Sequence, residues 1–126
     1  MMNITAKEHD EQVSLFQWAG IAVFKYPELN CMFAIPNGGL RNPVVARKLK
    51  AEGVKSGVSD IFLSVARGGY HGLYIEMKRV KGGTESAEQK DFRELMISER
   101  YRAVVCHGWL NAKDEIESYL KLSRQT

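Results

Sequence analysis

The sequence predicts an α/β protein with a mixed central sheet flanked by helices, its elements in the order αβαββαβα. Three observations carry that reading. Apolar residues recur at helical spacing in several segments. Short apolar runs bounded by Gly, Pro or Asn lie between those segments and read as strands. Helices and strands alternate along the chain, an arrangement that buries one sheet under helices. The 126 residues and 14.3 kDa amount to one domain, so 1–126 is read as a single unit able to build its own core.

The first helix runs from Thr5 to about Phe24, with Gln12, Leu15, Phe16 and Ala19 along one stripe and Thr5-x-x-Glu8 as a capping box. Cys31–Ile35 is a short strand stopped by Pro36-Asn37-Gly38-Gly39. Asn42-Pro43 pairs an N-cap with proline at the first helical position, opening a helix over Pro43–Glu52 that Gly53 ends. Strands Ser59–Val65 and Gly72–Lys78 flank the glycine turn Arg67-Gly68-Gly69-Tyr70. After Gly82-Gly83, Ser86-x-x-Gln89 opens a helix to about Arg100 with Phe92, Leu95 and Met96 inward. Arg102–His107 is the last strand, and Asn111 caps a final helix over Ala112–Leu122.

Composition narrows the class. No apolar run approaches the roughly 20 residues that cross a bilayer. The opening Met1–Glu8 lacks a secretion signal, which leads to the expectation of a cytoplasmic protein. Cys31 and Cys106 stand alone in apolar runs and are expected as buried free thiols, not as zinc ligands or a disulfide framework. The net charge of +3 says little, but its distribution says more. Arg41, Arg47, Lys48, Lys50 and Lys55 face a single acid, Glu52, between Pro36 and Ser56, and Lys78, Arg79 and Lys81 form a second cluster. Such a surface suits a phosphate backbone, and it equally suits a solvated helix face. His9, His71 and His107 show no ligand spacing.

The chemistry concentrates in the predicted hairpin. Strand side chains alternate faces, so Glu76 and Lys78 share one face while Ile75 and Met77 share the other. With the turn centred near Gly68, Asp60 falls across from Glu76. Two adjacent carboxylates suppress each other's ionisation unless positive charge sits between them. A hard divalent cation such as Mg²⁺ or Mn²⁺ supplies it and keeps waters for a reaction. A nearby lysine can orient or deprotonate an attacking water. Taken alone, D-x₁₅-E-x-K also describes an exposed Glu/Lys strand face with an unrelated aspartate.

The surrounding residues make the pattern specific. Glu8-x-x-x-Gln12, Ile35-Pro36-Asn37-Gly38-Gly39, Leu49-Lys50-x-x-Gly53-Val54-x-x-Gly57-Val58-Ser59-Asp60-Ile61, Gly72-Leu73-Tyr74-Ile75-Glu76-Met77-Lys78 and Ser86-x-x-Gln89 occur in this order. Together they resemble the VRR-NUC family, a branch of the PD-(D/E)xK nuclease superfamily whose small stand-alone members occur in phages and prophages. The resemblance spans about Glu8 to Leu120 and implies a restriction-endonuclease-like fold. It also implies a metal-dependent endonuclease with Asp60, Glu76 and Lys78 as the catalytic triad. Metal ligands would be Glu8, Asp60, Glu76 and the Met77 carbonyl, with Gln89 and Gln12 as site support. Serine at position 59 departs from the superfamily's usual proline, which is not a ligand.

Several alternatives stay open at this level. Glu8 either closes a capping box or joins the metal shell, and Glu11 is its substitute. Gln89 is either a cap or a site residue. Asn37, Arg41, Arg47, Lys48, Lys50 and Lys55 are the candidate DNA contacts. The expected cofactor is Mg²⁺ or Mn²⁺, with no small-molecule cofactor. The expected partner is branched DNA, cut as by a Holliday-junction resolvase, in the cytoplasm of a bacterial or phage-infected cell and with no membrane involved. A homodimer is expected, with Phe24, Tyr26, Leu29 and Trp109 available for its interface. The alternatives are a monomeric flap or splayed-arm nuclease and a non-catalytic DNA-binding module.

Overall fold

The computed structural model describes residues 4–36 and 42–124. Asn37 and Arg41, two of the candidate DNA contacts, lie outside the described residues. Helix α1 covers Ile4–Ala22, and a 3-10 turn, Pro27–Cys31, leads into β1 (Met32–Ala34). Helix α2 (Pro43–Ala51), strands β2 (Ile61–Leu63) and β3 (Leu73–Lys78), helix α3 (Ala87–Ser98), strand β4 (Arg102–His107) and helix α4 (Trp109–Leu120) follow. The order agrees with the sequence prediction, with the 3-10 turn added.

The four strands lie in the order β1-β2-β3-β4. The first two pairs are antiparallel, and β3–β4 is parallel, joined through α3. The hairpin between β2 and β3 turns on Gly68 (φ 58°) and Gly69 (φ 87°), where Arg67 and Tyr70 exchange both main-chain hydrogen bonds. Two successive left-handed residues make a type I′ turn, which glycine enters without a Cβ clash.

The core lies on one face of the sheet. Leu15 and Ala19 of α1 and Ala112, Ile116 and Tyr119 of α4 close over Ile61, Leu63, Leu73, Ile75, Met77 and Cys106. The Tyr119 hydroxyl is satisfied by donating to the Val65 carbonyl at 2.7 Å. The opposite face carries a smaller aromatic cluster. Phe62 stacks on Tyr74 at 4.3 Å between centroids, and Phe92 of α3 meets Tyr74 edge-on at 5.3 Å.

Several expectations need correction. Thr5 lies inside α1, which already includes Ile4, so it does not precede the first turn as a cap. Helix α4 starts at Trp109, three residues before the predicted start, because its first N–H is capped from another element: Trp109 N donates to Glu11 Oε1 of α1 at 2.8 Å. Asn111 instead accepts from the His107 N–H at 2.8 Å. Cys31 is exposed and only Cys106 is buried. Leu95 is 55% exposed, leaving Phe92 and Met96 as the half-buried side of α3. Of the four proposed interface residues only Phe24 is exposed, while Leu29 is buried and Tyr26 and Trp109 pack against the core.

Candidate active site

The paired strands bring the predicted triad together. Ile61 pairs with Ile75, so Asp60 comes next to Glu76 where the ladder ends. There Asp60 turns onto β3: its N–H donates to the Ile75 carbonyl at 3.1 Å, and its Oδ2 accepts the Met77 N–H at 2.6 Å. The register depends on a one-residue offset between the turn pair Arg67/Tyr70 and the strand pair Leu63/Leu73. Without that offset Asp60 would face Met77, whose side chain belongs to the core.

Glu76 and Lys78 are both buried, at 3% and 6% exposure. Charged side chains are seldom this enclosed unless partnered. The partner is Gln89 of α3. Its Nε2 donates to Glu76 Oε2 at 2.7 Å, and its Oε1 accepts from Lys78 Nζ at 3.1 Å. Lys78 Nζ stands 3.8 Å from Glu76 Oε2. The same Gln89 completes the predicted capping box, with Oε1 accepting the Ser86 N–H at 2.8 Å and its own N–H donating to Ser86 Oγ at 3.1 Å. The cap and the site contact are therefore one arrangement. Helix initiation holds the side chain that bridges the acid and the lysine.

Electrostatics describe a cluster short of positive charge. Burial, then the neighbouring Asp60 by charge and hydrogen bond, pushes the Glu76 carboxyl up to about 9, against the pull of Lys78. Glu8 is half-buried, and its carboxyl is raised first by burial, with Asp60 adding to the rise and Lys78 and Arg79 opposing it. Glu8 thus stands within the field of the triad, whereas Glu11 is committed to the start of α4. Gln12 borders a shallow groove with His9, Val13, Phe16 and Gln17. Among the described residues no three His, Cys, Asp or Glu side chains are grouped to hold a metal ion. The donors in place are the Asp60–Glu76 pair. Two carboxylates completed by water and substrate oxygens fit a hard octahedral cation, and a dication would offset the charge that now forces the Glu76 carboxyl upward.

Arg47, Lys48, Lys50 and Lys55 are exposed, the first three on α2, a helix with no buried residue. Sequence reasoning noted Arg79 and Lys81 only as charge. The structure sets them, with Lys7, around a groove beside the triad. Their signal was adjacency, since Lys7 precedes Glu8 and Arg79 follows Lys78.

No protein-family model matches the sequence, and a search of curated proteins gives no match. Among solved structures, a chain described as "VRR_NUC domain protein" superposes with a TM-score of 0.80 at 31% identity, covering 98% of this chain and 93% of that one. Similarity of fold and sequence over nearly the full length of both chains agrees with the ordered motifs. This chain belongs to the VRR-NUC family of nuclease-type domains.

Proposed function

We propose that the chain is a Mg²⁺- or Mn²⁺-dependent endodeoxyribonuclease that hydrolyses phosphodiesters in branched DNA, in the manner of a Holliday-junction resolvase. The observation that carries this reading is the Glu76–Gln89–Lys78 set beside Asp60. A buried acid and a buried lysine, bridged by one amide and adjacent to a second acid, are costly to fold and suited to metal-assisted hydrolysis.

Asp60 and Glu76 would hold the cation, joined by the Met77 carbonyl and by Glu8 once its side chain moves in. A cation bound there would supply Lewis-acid activation of water and charge stabilisation at the scissile phosphate. Lys78, fixed by Gln89, would orient the attacking water or take its proton, and in-line attack would leave a 3′-hydroxyl and a 5′-phosphate. Arg47, Lys48, Lys50 and Lys55 would meet flanking phosphates, binding many sequences alike.

The working unit we propose is a homodimer, since a four-way junction presents two equivalent scissile phosphates and each chain has one site. Ile21 and Phe24, 76% and 90% exposed at the end of α1, offer apolar surface for pairing. No helix among the described residues is long and apolar enough to cross a membrane. We place the protein in the cytoplasm.

The test is cleavage of labelled four-way junctions, flaps and splayed arms by purified protein with Mg²⁺, Mn²⁺ or EDTA. Paired cuts in the junction, lost in EDTA, are expected. Cutting that persists in EDTA, or an absence of cutting with either metal, would overturn the reading. Preference for flaps by a protein that sediments as a monomer would replace the junction with the flap.

A further inference from the structure

We infer that the groove between the start of α1 and the segment after β3 seats an internal phosphodiester of the nucleic-acid strand, next to the one that is cut. The inference rests on the nuclease reading. The groove measures about 430 Å³ and is lined by Lys7, Asp10, Glu11, Arg79, Val80 and Lys81. Three cations face two carboxylates there. Glu11 is already engaged with the Trp109 N–H, and Asp10 is exposed to water. The one positive charge in excess complements a singly charged phosphodiester better than a doubly charged terminal phosphate.

Arg79 singles this groove out. Its Nε–H is buried and has no hydrogen-bond partner among the described residues. Buried donors are almost always satisfied, so this orphan marks a guanidinium whose hydrogen bonding is incomplete and which gains an acceptor by turning toward the groove. The planar guanidinium fork matches phosphate oxygens. The backbone is shaped around it. Gly82 adopts φ +75°, a conformation that glycine enters without strain, and its backbone runs against the guanidinium, where a Cβ would lie 2.9 Å from Arg79 Nη2. The main chain of Arg79 is held in turn, its carbonyl lying 3.1 Å from His107 Nδ1.

The groove lies near the triad. Arg79 Cγ and Lys78 Cδ each lie 3.7 Å from the position a Cβ would take at Gly83, and the charges of Arg79 and Lys78 both act on Glu8, which follows Lys7 on α1. A strand that sets one phosphate against Asp60 and Glu76 carries a neighbouring phosphate over the groove. Occupancy would then select which phosphodiester reaches the carboxylates, fixing position along the strand without reading bases.

The test separates binding from cutting. Affinity for a four-way junction is measured in EDTA across a salt series for the wild type, Arg79→Gln and Lys81→Gln, each shown to be folded by its thermal unfolding. Lys81 is exposed, so its variant keeps the test open if Arg79→Gln unfolds. Each variant is expected to bind more weakly at low salt and to flatten the log–log salt slope by about 0.9. In cleavage with metal, junctions carry one neutral methylphosphonate at successive positions around the cut. Wild type should lose at least tenfold in kcat/KM at one flanking position, and the variants should lose that position's effect. Wild-type cleavage with salt slopes and methylphosphonate profiles unchanged in the folded variants would overturn the seat and leave the nuclease reading intact. Tighter binding of an oligonucleotide ending in a 5′-phosphate, dependent on Arg79, would overturn the internal diester in favour of a chain end. Variant-dependent binding without wild-type cleavage in either metal would overturn the nuclease reading and leave a phosphate-binding groove.

Discussion

The Gln89 amide has one orientation that satisfies its surroundings. Its oxygen faces the Ser86 N–H and Lys78 Nζ, and its nitrogen faces Glu76 Oε2. Reversing the amide would set its NH₂ against the Ser86 N–H and Lys78 Nζ, donor against donor. Gln89→Ala should therefore cost about 1 kcal/mol through the lost cap, read by urea unfolding, and should reduce cleavage at least tenfold. Ser86→Ala should cost a similar amount of stability and keep most of the activity. Equal activity losses in the two variants would show that the contacts to Glu76 and Lys78 do not matter. Glu76→Ala and Lys78→Ala should each abolish cleavage, but only Glu76→Ala should lose metal in titration calorimetry. A folded variant of either kind that cuts near the wild-type rate would refute the site. Cysteine labelling gives an independent check of burial. Cys106 is enclosed, and its thiol is pushed up to about 12 by burial first, so iodoacetamide at neutral pH should modify Cys31 alone until the protein unfolds. At this scale the sequence was informative where strand alternation applied, as for Glu76 and Lys78. It could not choose between Glu8 and Glu11, because the Trp109 N–H that claims Glu11 lies 98 positions away.

The start of helix α2 was legible because it is local: Asn42 accepts from the Val44 and Val45 N–H groups at 2.8 and 3.4 Å, with Pro43 at the first helical position, and the helix ends at Ala51, one residue before the predicted Glu52. Helix α4 was misplaced because its cap comes from α1, and no local Ser, Thr, Asp or Asn announces a helix whose N-cap is Gly108. The two helices should respond differently to loss of a cap. Glu11→Ala removes a carboxylate from the start of a helix that supplies three buried side chains, so global stability should fall by about 1 kcal/mol in urea unfolding. Asn42→Ala frays a helix with no buried residue, so hydrogen exchange over Pro43–Ala51 should accelerate while the global midpoint barely moves. An equal fall in global stability for Asn42→Ala would mean that α2 is packed more firmly than its exposure indicates. The hairpin register was legible in outcome, while its one-residue offset was not. The sequence marks the Gly68–Gly69 turn but carries no local sign of where the pairing slips between turn and strands.

Across the whole molecule, the 3-10 turn is tied to the tip of the hairpin by Arg67, which donates from Nη2 to Glu28 Oε2 at 2.6 Å and from Nη1 to the Ala66 carbonyl at 2.7 Å. The Glu28 carboxyl is held below its usual range, first by its own main-chain N–H and then by Arg67. A depressed folded-state value means the contribution is present above the unfolded value of about 4.5 and disappears as pH falls through the lower folded one. Wild-type stability should therefore drop on acidification below pH 4.5, and Glu28→Gln should show a shallower acid limb in urea unfolding across that range. Identical limbs would remove Glu28 from the acid response. The parallel pairing of β3 with β4 bears on how the molecule comes into being. It joins Leu73 to Arg102 across the whole of α3. The Gln89 contacts span only 13 positions to Glu76 and 11 to Lys78, against 17 for the hairpin contact of Asp60 with Met77. Shorter closures form sooner, so Asp60, Glu76, Lys78 and Gln89 are expected to meet before β4 docks. On that expectation the candidate site belongs to one contiguous stretch of the chain and takes shape ahead of the finished sheet.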